Sequence, residues 1–545
     1  MENLMSLPES AVREELGETQ WFLADSLRVL LYSAVCGVVC ALAATSPVTA
    51  QSVPVPHATY VPVTANSYPL GAANHLNVPE DLKRVGYVED EYFVSGTANV
   101  YDWTPPNPAT VRTANAPYTT RMLIRRPIDP RRFSGNVIVE ILNATNLVDF
   151  EIGWALSKEQ IVHNGDIWIG FTSKPVTAAA LQRFNPTRYA PLNWANPLPV
   201  TDSQNCTTLS TIIAGDSSRT TEDGLLWDIF SQIAALARSD ADDNPLRNYN
   251  VKRVYGYGYS QSGFDLQTYI DAVHPLARQR NGKYMFDGFL DVAGFNTPAP
   301  INQCSPAPAG TGAAEIHNAG VPVIRMATNS EDVLASVQAA RREDSNQYPD
   351  QFREYELASA AHATPNELDF GPAYADILAA GAPMPPLTCG FGPRSPYPSG
   401  FLQNAALANL EAWVSTGVPP PPGLLLNYGE NDVQTLDEYG NATGGVRTPY
   451  VDVPTAQWFV GSPSTTSSLC FLLGYVQPFD KTQLEALYGD HEAYVKQVVE
   501  DTLRLVARRY LTFADGQYMI RHAQQSSVPA AADIPSDLPD DLYWR

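Results

Sequence analysis

The chain has 545 residues, 44% of them hydrophobic and 17% charged, with 58 acidic against 35 basic side chains and a formal net charge of -23. That much apolar and aromatic material excludes a disordered polymer and is enough for a large buried core. The negative charge repels phosphate backbones and anionic headgroups, and no Lys/Arg cluster opposes it, which excludes nucleic-acid binding.

Arg28 is followed by an apolar run over residues 29–44 and then by Val48-Thr49-Ala50-Gln51. A positive charge, a hydrophobic stretch shorter than a ~20-residue spanning helix, and small residues at the -3 and -1 positions predict a signal peptide cleaved after Ala50. The polar stretch before it is long and acidic for such a leader, so an uncleaved N-terminal anchor is the alternative. Export to the periplasm or the medium is the expectation, with no stable membrane partner beyond that anchor. Cleavage removes Cys36 and Cys40 and leaves Cys206, Cys304, Cys389 and Cys470, an even number in an exported chain. Two disulfides are expected, and of three connectivities Cys206 with Cys304 and Cys389 with Cys470 is preferred. No Cys or His spacing suggests a zinc site. Asn-x-Thr sequons begin at Asn143, Asn205 and Asn441, and their use depends on the host.

Residues 51–85 have no helical period and read as an extended arm. Strands are expected over 92–94 and 119–124. The run Asn136-Val137-Ile138-Val139-Glu140-Ile141-Leu142 reads as a strand buried on both faces. A helix over 154–163, a strand over 167–171, a helix over 225–237 and a strand over 251–257 then alternate, which predicts βαβ units and a parallel sheet. Further strands are expected at 286–292, 321–327 and 352–357. From 371 to 545 the texture becomes Pro-rich and helical, including a long helix over about 490–510, and reads as material laid on the 86–370 core.

The strand over 251–257 runs into Gly258-Tyr259-Ser260-Gln261-Ser262-Gly263, and an amphipathic stretch follows at once. This is a strand-to-helix elbow that would expose the Ser260 hydroxyl as a nucleophile. Small residues are needed two before and two after the nucleophile, because the two backbones pass close together. Gly258 and Ser262 meet this need for Ser260, whereas Ser262 as nucleophile would place Phe264 in the tight position.

A neutral hydroxyl needs a base, and the base an orienting acid, in the chain order serine, acid, histidine. The strand over 321–327 leads to Asn329-Ser330-Glu331-Asp332, where Asp332 is preferred as acid and Glu331 is the alternative. The strand over 352–357 leads to Ala358-Ser359-Ala360-Ala361-His362, which makes His362 the base. His57, His75 and His163 precede the serine, His274 lies at the elbow helix, and His317 precedes the acid. His491 reads as the start of a helix capped by Asp490, and His522 stands third. Oxyanion donors are expected at the N–H of Gln261 and, after the early strand, at Ala144 or Thr145, with Asn143 assisting through its side chain.

These segments, together with residues 91–98, 135–143 and 355–363, resemble the α/β-hydrolase domain-containing family, a mostly bacterial group read as esterases. The resemblance covers most of the mature chain. The family elbow is similar to Gly-x-Ser-x-Ser-Gly, and its acid loop looks like Thr-Glu-Thr-Asp against Asn329-Ser330-Glu331-Asp332 here. It implies an α/β-hydrolase fold and a hydrolase, and the serine, histidine and acid chemistry itself calls for no metal or organic cofactor. Cleavage of a small-molecule carboxylic ester through an acyl-enzyme is the leading expectation. Amide or peptide hydrolysis by the same triad, or a binding protein on a hydrolase fold, are the alternatives.

Overall fold

The computed structural model describes residues 51–207, 218–296, 298–308, 315–332, 338–463 and 467–535. The signal or anchor segment expected over 1–50 lies outside the described residues. Among the described residues no helix is long and apolar enough to cross a membrane.

Nine strands form one twisted sheet: β1 (His57–Val61), β2 (Tyr87–Asp102), β3 (Thr110–Pro127), β4 (Asn136–Ile141), β5 (Ile167–Phe171), β6 (Arg253–Tyr259), β7 (Gly288–Val292), β8 (Val323–Thr328) and β9 (Phe352–Leu357). Their spatial order is β9-β8-β7-β6-β4-β5-β3-β2-β1. Neighbours from β9 through to β5 pair in parallel, whereas β3, β2 and β1 are added antiparallel at one edge.

Every residue of β4, β5, β7, β8 and β9 is buried, as a parallel sheet covered on both faces requires. The covering helices include α1 (Ile152–Asn164), α2 (Pro175–Phe184), α3 (Leu226–Ala237) and α4 (Gln261–Thr268), with a π-helical turn over Tyr269–Val273 continuing α4. Glu140 on β4 ties α1 to the sheet by accepting the N–H groups of Gly153 at 2.6 Å and Trp154 at 3.0 Å and the indole N–H of Trp168 at 2.7 Å. The two backbone groups, of Gly153 and Trp154, are ones that the first turn of a helix cannot satisfy internally.

The chain order reverses at β4: β5 pairs on one side of it and β6 on the other. Loops leaving the carboxyl ends of β4 and β6 therefore diverge and open a crevice between them, where ligands of parallel α/β sheets bind. Both the elbow and the segment from Asn143 start there.

The arm read as merely extended supplies an edge strand, β1, whose backbone pairs antiparallel with β2. It is held further by arginines buried beneath it. Arg125 donates to the carbonyl of Gly71 at 2.9 Å, Arg188 to that of Pro62 at 2.8 Å, and Arg121 to that of Leu70. Each guanidinium also meets a carboxylate: Glu91 for Arg121 and Arg188, Glu89 and Glu151 for Arg125. Buried charge is tolerable only when paired in this way.

After β9 come the C-terminal helices, of which α6 (Ser399–Thr416) packs on α1 and β7. Helix α7 (Lys481–Tyr488) opens with a capping box between Asp480 and Gln483, and α8 (His491–Ala507) buries the stripe Tyr494, Val498, Thr502 and Leu505. Between β8 and β9 a single helical turn, α5 (Asn329–Asp332), follows directly on β8.

Candidate active site

Ser260 joins β6 to α4 with φ 58° and ψ -122°. A non-glycine residue in that region is strained, and the surroundings hold it there. A Cβ on Gly258 would lie 2.3 Å from the carbonyl oxygen of Ser262, and one on Gly263 2.9 Å from the Cα of Gly294, so glycine is obligatory at both close approaches. Ser262 fits where a second glycine was expected because its hydroxyl folds back on the strand, accepting the N–H of Tyr259 at 2.9 Å and donating to its carbonyl at 3.0 Å. That engagement, with complete burial, removes Ser262 from contention as the nucleophile.

The Ser260 Oγ lies 2.9 Å from His362 Nε2, and His362 Nδ1 is hydrogen-bonded to Glu331 Oε1. Three loops far apart in the chain therefore form one continuous line of hydrogen bonds. Glu331 is buried and is held by Thr328, whose hydroxyl donates to Oε1 at 2.6 Å and whose N–H donates to Oε2 at 3.2 Å. The His362 backbone is fixed from two sides: its N–H donates to Ser330 Oγ at 2.9 Å, and its carbonyl accepts the Tyr259 hydroxyl at 2.6 Å.

The preference for Asp332 is thereby reversed. Adjacent residues on a helical turn point about 100° apart, and the turn of α5 directs Glu331 at the imidazole. Asp332 ends the turn, and its side chain lies outside the described residues.

The second oxyanion donor also differs from expectation. The Ala144 N–H donates to Gln261 Oε1 at 2.9 Å, the Thr145 N–H to Asn143 Oδ1 at 2.9 Å, and the Asn143 amide to the Tyr259 carbonyl at 3.0 Å. Both backbone groups are occupied, the second because asparagine closes an Asx turn onto the N–H two residues on. The Gln261 N–H starts α4 and so has no intrahelical acceptor. Asn146, the next residue of the loop, lines the pocket.

The pocket above Ser260 and His362 holds about 580 Å³ of empty space including its open mouth. One wall is Phe150, Ile152 and Leu368; the other is Leu469, Leu472 and Leu473 from the C-terminal segment. Glu367 and Arg394 are the ionisable groups set in this lining beside His362. Burial, the dominant cause, pushes the Glu367 carboxyl up to about 7. Neither residue had a sequence signal: Glu367 lies just beyond the histidine loop, and Arg394 in a Pro-rich stretch with no period.

Disulfides join Cys206 to Cys304 and Cys389 to Cys470, with Cα separations of 5.4 and 5.8 Å. The second holds the segment carrying the leucine wall. All three sequon asparagines are buried, and their amide nitrogens donate to the carbonyls of Tyr259, Leu198 and Ala456, so the folded chain does not present them to a glycosylating enzyme.

The remaining histidines lie elsewhere. His491 opens α8, where Asp490 accepts the N–H of Ala493 at 2.9 Å, and His522 pairs with Asp533 at 2.7 Å. His274 is buried against Tyr284 and Phe289.

No curated protein matches the sequence. Among solved structures, a fungal esterase from Rhizomucor miehei is similar at 9% identity and TM-score 0.27, over 53% of this chain and 85% of that one. The rice cell wall degrading esterase LipA from Xanthomonas oryzae is similar at 11% identity and TM-score 0.23, over 44% and 50%. XC6422 from Xanthomonas campestris, an α/β serine hydrolase without a lid, is similar at 9% identity and TM-score 0.23, over 53% and 97%. The family profile described as the alpha/beta hydrolase domain matches residues 52–521, nearly all of the described chain, and the protein belongs to that family.

Proposed function

We propose that this protein is an exported serine hydrolase that cleaves small-molecule carboxylic esters through an acyl-enzyme, with Ser260 as nucleophile, His362 as general base and Glu331 as the orienting acid. The reading rests on the unbroken hydrogen-bonded line from Ser260 Oγ through the imidazole to the buried Glu331 carboxylate. His362 Nε2 takes the hydroxyl proton as Oγ attacks the acyl carbon. Glu331 holds Nδ1–H and stabilises the imidazolium that forms. The Gln261 N–H meets the developing oxyanion, with Asn146 as the second donor from the facing loop. His362 then returns its proton to the leaving alcohol, and water repeats the sequence to release the acid. Two disulfides are compatible with an oxidising compartment outside the cytoplasm.

A fluorophosphonate probe tests this directly. It is expected to label the wild-type protein and not Ser260→Ala, and a panel of short esters is expected to be hydrolysed only by the former. Wild-type protein that is neither labelled nor active on any ester would overturn the proposal, while turnover confined to the matching amides would reassign it to an amidase.

A further inference from the structure

Arg394 is buried, with 7% of its surface exposed, yet it lines the pocket that holds Ser260 and His362. Its Nε donates to the carbonyl of Pro386 at 2.9 Å and its Nη1 to that of Thr364 at 3.2 Å. Those bonds orient the guanidinium and leave the Nη2 edge without a partner among the described residues. The nearest carboxylate, Glu367, stands 3.8 Å from Nη1, too far for a hydrogen bond. Glu367 Oε1 instead accepts the N–H of Thr364 at 3.1 Å. Asp369, the other acid whose field reaches Arg394, is half-buried and turned to Asn77 at 3.5 Å. Three other buried arginines, Arg121, Arg125 and Arg188, each have a carboxylate within 3.0 Å, whereas Arg353 stands 3.6 Å from Asp344 and uses its N–H groups on carbonyls and on Asn346 instead.

A buried guanidinium in the lining of a cavity, with one N–H edge unused and no bidentate partner, is a preformed donor site for a carboxylate. Burial raises the Glu367 carboxyl to about 7, so at and below neutral pH it weakens as a competing counter-ion and offers a proton of its own. Within the same lining Phe150, Ile152, Leu368, Leu469 and Leu472 supply apolar surface that suits a short methylene chain.

We infer that the ester cleaved at Ser260 carries a second carboxylate, bound by Arg394 through Nη2, at the far end of a short apolar spacer. The inference rests on the ester-hydrolase reading and narrows it to half-esters of dicarboxylic acids or esters of hydroxy acids.

The test compares kcat/KM for monoethyl succinate, glutarate and adipate with ethyl hexanoate and with the neutral carboxamide of monoethyl adipate. An alcohol-side pair, 4-butanoyloxybutanoate against pentyl butanoate, covers the other polarity. At least one carboxylate-bearing ester is expected to exceed its neutral counterpart by about 10-fold or more, as a charge-assisted hydrogen bond implies. In Arg394→Gln that ratio is expected to fall toward one, with partial recovery in Arg394→Lys. Should either variant fail to fold, protection of wild-type Ser260 from the fluorophosphonate by adipate against hexanoate gives the same comparison. Neutral esters preferred throughout, with hexanoate protecting as well as adipate, would overturn the inference while leaving the hydrolase reading intact. Failure of that reading looks different: no label on Ser260 and no ester cleaved. Calorimetry with adipate then decides whether Arg394 binds a carboxylate, and absence of binding overturns the inference too.

Discussion

The backbone N–H of Ala144 donates to the side-chain Oε1 of Gln261 at 2.9 Å, so the residue after Ser260 clamps the loop that faces it. The other end of the same amide donates to Asp265 Oδ2 at 2.6 Å, and Asp265 Oδ1 meets Lys174 Nζ at 3.0 Å. A buried chain of three side chains thus joins the start of α4, the loop after β4 and the start of α2.

Gln261→Leu keeps the backbone donor and removes the clamp. We expect kcat to fall about 10- to 100-fold with a smaller change in KM, somewhat less than the loss of an oxyanion donor outright. Steady-state ester hydrolysis measures the split; an unchanged kcat would show that the loop holds its place without the glutamine. Lys174→Met should act on stability instead, costing roughly 3–5 kcal/mol in urea unfolding because Asp265 is left buried and unpaired.

Glu331→Gln and Asp332→Asn separate two adjacent carboxylates. The first removes the negative charge that faces His362 Nδ1 and allows an amide N–H to take its place, and should lower kcat by roughly 10³- to 10⁴-fold, as expected when the tautomer is no longer fixed. The second should leave kcat within a few-fold of wild type. The opposite pattern would return the acid to Asp332.

The two disulfides should differ in what they protect. Replacing both Cys389 and Cys470 by serine is expected to cost about 2–4 kcal/mol of stability and also to raise KM, since Leu469, Leu472 and Leu473 on the tethered segment line the pocket. Replacing Cys206 and Cys304 should give a comparable loss of stability with KM unchanged, because that bridge carries none of the pocket lining. Melting curves and Michaelis plots of the two double variants check this.

Asp291 on β7 gives a pH dependence of definite sign. Burial, the main cause, pushes its carboxyl up to about 7, against the opposing field of Arg325. The folded state then holds a proton that the unfolded chain releases near pH 4, so stability falls as pH rises from about 4 to about 7. Asp291→Asn removes the ionisation and should flatten that decline, by at most about 4 kcal/mol. Urea unfolding of both proteins at pH 5 and pH 8 measures the difference, and an unaltered slope would assign the decline to other buried carboxyls such as Glu151, which burial raises to about 8.

The parallel strands and the elbow were legible because each is a local pattern. The run from Asn136 to Leu142 is apolar on both faces, and Gly258 and Gly263 flank Ser260 where backbones must touch. His362 was legible for the same reason, lying in a run of small residues that a strand delivers to one end of the sheet. The edge strand β1 was missed because its alternation is weak: only Val61 of its five residues is buried, and what makes it a strand is the backbone of β2.

By itself, then, the amino-acid order determined the alternation of strand and helix and singled out Ser260 and His362, while leaving the pairing of the four later cysteines a preference among three. The tertiary structure alone decided which of Glu331 and Asp332 meets the imidazole, that the Ala144 N–H is already taken, and that Arg394 and the leucines beyond Pro385 line the pocket. The physical reason is one of range. Periodicity and close-approach sterics act between residues a few positions apart, whereas the direction of a side chain on a single helical turn, and the neighbours of a residue more than a hundred positions away, depend on how separate elements pack.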